Sequence, residues 1–163
     1  MTAPAAAPQR SGRIWPWAVS LAVLLADQLS KAWALHHLPA GEIAPLVPGL
    51  LRLQRVFNTG AAFSLLPGNS LALGVVSGLV ALGVAGWLLL RPPRGSWLKL
   101  AAALVLAGAL GNGLDRWRLG AVIDFLELVP IHFPIFNLAD VAINGAVACF
   151  AIDSWQQRPR RRG

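Results

Sequence analysis

The chain is short of charge. Charged residues make up 13% of its 163 residues, and only seven of them are acidic. A soluble domain usually carries about 25% charged residues. That shortage, with 56% hydrophobic residues and a mean hydropathy of +0.59, excludes an ordinary water-soluble fold and implies an integral membrane protein. Cysteine is nearly absent too. Cys149 stands alone, which excludes an intrachain disulfide and argues against a thiolate metal site. It lies in an apolar run and reads as a small buried residue.

Familiar catalytic signatures are also missing. There is no Gly-x-Ser-x-Gly elbow, no Walker loop and no His-Glu-x-x-His. Ser64 and Ser77 have no histidine base nearby. His36 and His37 are adjacent, so on a helix their rings point apart. Neither a cysteine nor His132 joins them in metal-ligand spacing, which argues against a metal site.

What charge there is has a pattern. The formal net charge is +7. Arg10, Arg13, Arg91, Arg94, Lys99, Arg158, Arg160, Arg161 and Arg162 flank apolar segments on one predicted side. Lys31, Arg52, Arg55, Arg116 and Arg118 fall on or towards the other. This is the positive-inside distribution of a membrane protein, not the basic groove of a nucleic-acid binder.

Four spans follow: about Trp15–Leu35, Ser70–Leu90, Trp97–Leu114 and Phe136–Trp155. Residues 1–13 read as a disordered cytoplasmic tail, 14–157 as a single membrane domain and 158–163 as a basic cytoplasmic tail. Trp15, Trp17 and Trp33 suit the ends of the first span. On composition alone, that span also imitates a secretory signal, with Ala32-Trp33-Ala34 as its cleavage site. Gly74 and Gly78 have the spacing that lets membrane helices approach closely. The alternation from Leu51 to Phe57 predicts strand structure in the first outer loop. Gly120 is expected to end the third helix, with Val122–Phe125 extended beyond it. The fold class is thus an all-α membrane protein of four transmembrane helices, with a small extended or β cradle in the first outer loop.

The acids then stand out. Asp27, Asp115 and Asp140 fall in the same outer half of the bilayer, and the second outer loop adds Asp124 at that level. A carboxylate inside a membrane costs about 2.5–3.5 kcal/mol on insertion scales. Asp27 has Lys31 four residues on, and Asp115 has Arg116 beside it, so both invite an ion pair. Asp124 and Asp140 have only apolar sequence neighbours. Asn137, Asp140 and Asn144 are spaced for one helix face, as are Asn112, Asp115 and Arg116. Glu127 and Asp153 read as solvated interface residues. Two carboxylates brought together resist joint ionisation, so one keeps a proton and the pair holds an acid and a base at once. Acids also build proton relays, which leaves a small proton-coupled transporter as the alternative. A relay would spread its acids through the membrane, whereas these cluster at one level.

Four blocks carry a resemblance: Asp27-Gln28-Leu29-Ser30-Lys31; Phe57-Asn58-Thr59-Gly60-Ala61-Ala62-Phe63; Gly108 to Arg116, continuing through Gly120 to Phe125; and Phe136-Asn137-Leu138-Ala139-Asp140. In this order they resemble signal peptidase II, a family of bacterial intramembrane aspartic peptidases. The resemblance implies removal of signal peptides from diacylglyceryl-modified prolipoproteins, just before the lipidated cysteine, without a cofactor. It implies Asp124 and Asp140 as catalytic residues. It implies Asp27, Lys31, Asn58, Gly60, Asn112, Asp115, Arg116, Asn137 and Ala139 as supporting or substrate-binding positions. It further implies a monomer in the bacterial cytoplasmic (inner) membrane, with both termini cytoplasmic and the active site near the outer face. Its partners would be prolipoproteins, membrane lipids and globomycin-type inhibitors, and not nucleic acid. The first span would be retained, making Ala32-Trp33-Ala34 a decoy. Ser30 stands where the family often has Thr, and the stretch between Asp124 and Asp140 is short.

Overall fold

The computed structural model describes residues 11–60, 68–131 and 133–157. Four helices are long and apolar enough to cross a membrane. They are α1 (Ser11–His37), α2 (Ser70–Leu90), α3 (Ser96–Leu119) and α4 (Leu138–Gln156). Helix α1 begins earlier, and α3 runs five residues further, than hydropathy alone suggests. The tails at 1–10 and 158–163, together with Ala61, Ala62, Phe63, Ser64 and His132, lie outside the described residues.

Helix α3 is the hub and packs against each of the other three. Its sequence explains why. Ala101, Ala102, Ala103, Ala107, Gly108 and Gly111 are all buried, and such small residues let backbones approach. Gly111 is the tightest case. A Cβ there would lie 2.6 Å from an Asp27 carboxylate oxygen and 3.1 Å from Ala139 Cβ. On α2, Gly74 and Gly78 open a seat for the Trp117 side chain of α3, not for a neighbouring backbone.

Three strands cap the helix ends where the acids lie. They are β1 (Ala44–Val47), β2 (Leu51–Asn58) and β3 (Val122–Leu128), antiparallel in the order β1-β2-β3. The sheet buries Leu53 and Phe125 against Ala34 of α1 and Leu38 just beyond it. The C-terminal end of α1 is therefore packed against the sheet through Ala34, while Ala32 and Trp33 are exposed.

Gly120 ends α3 in a left-handed conformation (φ 71°), which glycine adopts without steric cost. The chain then reverses into β3, the expected extended segment. Phe136 exchanges backbone hydrogen bonds with Leu126 at 2.8 and 2.9 Å. That bridge brings the start of α4 alongside β3, and so Asn137 alongside Asp124.

Glu127 is not solvated. It faces Arg52 across the β2–β3 pairing and accepts both its Nε and Nη2 hydrogens, at 2.6 and 2.7 Å. Asp153 is buried as well, against Gly95 at the start of α3, and accepts a hydrogen bond from Gln157. In both places a partner distant in sequence or one helical turn away replaces water.

Candidate active site

The polar residues gather where α1, α3, β3 and the start of α4 meet. At the centre is Lys31, 1% exposed. Its ammonium reaches Asp27 Oδ2 at 2.9 Å, Asp115 Oδ2 at 2.8 Å and Asn112 Oδ1 at 2.9 Å. An ammonium has three donors, and all three are used. Asp27 spends its other oxygen on the Ala139 backbone N–H at 2.8 Å, tying α1 to the first turn of α4. Asp115 also accepts the Ile123 N–H at 3.3 Å, which fixes the entry of β3.

The expected Asp115–Arg116 ion pair does not form. Neighbouring positions on a helix point about 100° apart and cannot face each other. Lys31 takes Asp115 instead. Arg116 donates to the Gly60 carbonyl at 3.0 Å and, weakly, to the Asn112 carbonyl at 3.4 Å, binding the α1–α2 connection just after β2 to α3.

Lys31 also orients what lies beyond it. By donating to Asn112 Oδ1, it fixes which way that amide points. Asn112 Nδ2 then donates to Asp140 Oδ1 at 2.8 Å. Asn137 Nδ2 meets Asn112 Oδ1 at 3.0 Å and Asp124 Oδ1 at 2.7 Å. Asn58 is set the same way: its Oδ1 accepts the Gly60 N–H, and its Nδ2 donates to Asp124 Oδ2 at 2.9 Å. Asn137 is not a residue of the α4 face. It caps the helix, accepting the Asp140 N–H while its own N–H donates to Asp140 Oδ2 at 3.1 Å. This reciprocal capping box holds Asp140 at the start of the helix.

Asp124 and Asp140 are thus linked through two asparagines. Each of their four carboxylate oxygens receives one N–H, which leaves further lone-pair capacity on each carboxylate for a water or a substrate. Asp124 is 3% exposed. Burial pushes its carboxyl up from 3.8 to about 6, and the charge of Asp140 adds to the rise. The hydrogen bonds from Asn58 and Asn137 oppose it, as does the charge of Lys31. A carboxyl poised near neutrality beside a second carboxyl can serve in proton transfer.

Comparison with known proteins shows the family. The family model described as Signal peptidase (SPase) II matches residues 19–156. The chain belongs to the signal peptidase II family. A lipoprotein signal peptidase of Synechococcus sp. (strain RCC307) is 53% identical over 147 residues, covering 90% of this chain and 97% of that protein. One from Gloeobacter violaceus is 42% identical, covering 90% and 84%. A bacterial membrane enzyme solved by the in meso method at 2.3 Å resolution shares the fold, with a TM-score of 0.82 at 24% identity over 90% of this chain and 91% of that one.

Membership of the signal peptidase II family makes the chain a peptidase and removes the transporter alternative. The burial pattern agrees. Among the described residues, the halves of the spans away from this cluster bury only Ser20 and Asp153 as polar side chains.

All eleven site residues expected from the sequence fall in or around this cluster. Gln28 was missed as a site residue. Its amide donates to Asp27 at 3.1 Å, to Asp115 at 3.2 Å and to the Gly111 carbonyl at 3.2 Å, joining α1 to α3. Its place between Asp27 and Lys31 in the first sequence block was the available signal.

Proposed function

We propose that Asp124 and Asp140 are the catalytic pair of an aspartic endopeptidase that removes signal peptides from diacylglyceryl-modified prolipoproteins, just before the lipidated cysteine. One carboxylate takes a proton from a water as that water attacks the scissile carbonyl. The other, as a carboxylic acid, gives its proton to the leaving amine, and the C–N bond breaks. No cofactor enters these steps. The observation that carries the reading is that two carboxylates share the Asn112–Asn137 amide pair at one end of the bundle.

The remaining residues divide by what they touch. Asp27, Lys31, Asp115 and Ala139 hold the helices that carry the pair. Asn112 and Asn137 orient the two carboxylates. Asn58 and Gly60 line the approach from β2 and bind the substrate backbone, while Arg116 braces that loop. The substrate's acyl chains lie in the bilayer beside the bundle, which fixes the depth of its cysteine near the carboxylates. The enzyme is a monomer of one peptidase domain over residues 14–157, with cytoplasmic tails on both sides, in the bacterial inner membrane. Globomycin-type cyclic peptides inhibit it, and nucleic acid is not a partner.

The test is a cleavage gel with a diacylglyceryl-modified prolipoprotein, using wild type, Asp124→Asn and Asp140→Asn at matched folding. Wild type should release the signal peptide and neither variant should. Cleavage by either variant at the wild-type rate would remove that carboxylate from the mechanism.

A further inference from the structure

Asn144 lies on α4 one turn beyond Asp140, exposed on a helix long and apolar enough to cross a membrane. A bare amide facing hydrocarbon is costly, because nothing there can hydrogen-bond to it. Its Nδ2 donates to the Asp140 backbone carbonyl at 2.9 Å. That bond uses one of the two amide hydrogens and neither lone pair of Oδ1. Among the described residues, Oδ1 has no partner. The amide therefore presents one acceptor and one donor together. It does so into a cavity of about 440 Å³, which Asp140 and Gly145 of α4 share with Leu128 and Phe136. A donor and an acceptor on one side chain match one residue of extended backbone, whose N–H and C=O point to the same side.

We propose that Asn144 binds the backbone of the signal peptide upstream of the scissile bond, holding that stretch unwound beside the catalytic pair. This inference rests on the peptidase reading above. The position of the contact follows from geometry. Four residues of helix put Asn144 about 6 Å deeper than Asp140. An extended peptide covers that depth in about two residues at roughly 3.3 Å each. The contact therefore falls on the second or third residue before the cleaved bond. A signal peptide is helical in the bilayer, and a helical backbone has no free N–H to offer a protease. Asn144 supplies a partner for the groups that unwinding exposes, at the depth where hydrocarbon cannot.

The experiment compares purified full-length wild type, Asn144→Leu and Asn144→Thr on two lipidated substrates. One has the native backbone, and the other carries an ester in place of the amide at the second or third position upstream. On the native substrate, Asn144→Leu should lose about tenfold in kcat/KM, about the worth of one hydrogen bond. Asn144→Thr, which keeps a hydroxyl, should recover part of it. The melting temperature of Asn144→Leu should hold or rise, because leucine suits a lipid-facing site, whereas a merely structural asparagine would lower it. Wild type should lose about tenfold on the ester substrate, and Asn144→Leu should lose no more than it already has.

Wild-type kcat/KM in Asn144→Leu would overturn the proposal. So would an ester penalty that persists undiminished in Asn144→Leu, since the backbone contact would then belong to another residue, or a loss that is the same for every substrate and tracks a fall in melting temperature. Failure of wild type to cleave either substrate would instead overturn the peptidase reading, and this inference with it.

Discussion

Asp124→Asn should make the protein less stable in acid and match or exceed wild-type stability near neutrality. The wild-type carboxyl is raised from 3.8 to about 6, so the folded protein holds this proton more tightly than the unfolded chain does. Ionising Asp124 therefore opposes folding. The penalty is absent below about pH 4, grows as pH rises through 4 to 6, and is constant above. A rise from 3.8 to about 6 corresponds to roughly 3 kcal/mol. An asparagine never ionises and escapes it.

The substitution has a fixed cost as well. Asn58 and Asn137 aim two N–H donors at the two oxygens of Asp124. An amide offers only one oxygen, so one donor then faces an NH2 group, at about 1–3 kcal/mol independent of pH. The variant should melt below wild type at pH 4 and level with it or above at pH 7.5. The relative swing should be about 6–12 °C for a chain of this size. Differential scanning fluorimetry in an uncharged detergent at half-unit pH steps would show it. A melting difference that does not change with pH would refute the reasoning, because Asp124 would then ionise without cost in the folded protein.

Other outcomes follow from the same network. Lys31→Met should leave Asp27 and Asp115 buried without their cation and cost about 3–5 kcal/mol, seen as a large fall in melting temperature with loss of cleavage. Asp115→Ala removes an anchor of β3 as well as an ion-pair partner. It should lower the melting temperature of detergent-purified protein, and unchanged melting with full activity would disprove its bracing role. Gly111→Ala must displace Asp27 or Ala139, so it should reduce both stability and cleavage by more than the same change at Gly83, where a Cβ meets nothing within 4 Å. The pH profile of kcat/KM should carry a limb near pH 6 from the coupled pair; a profile flat from pH 5 to 8 would speak against proton transfer at Asp124.

Much of the architecture was legible in the sequence because it is local. Hydropathy runs long enough to cross a bilayer mark the four helices. Alternation marks β2, and Gly120 marks a turn that needs a left-handed residue. The acids were conspicuous because few side chains are so costly in that setting. The signal peptidase II blocks added Asn58, Gly60 and Ala139, whose importance no local pattern announces. Which group holds which was not legible. Asp115 sits beside Arg116 in sequence yet pairs with Lys31, and Glu127 is held by Arg52 across two strands. Asp27 ends on the backbone of Ala139, 112 residues away. The chain alone determined that buried carboxylates at one depth had to be explained. Only the tertiary structure decided that Lys31 saturates two of them while asparagines hold the other two, because side-chain partners across a bundle are set by helix rotation and packing, which no sequence spacing records.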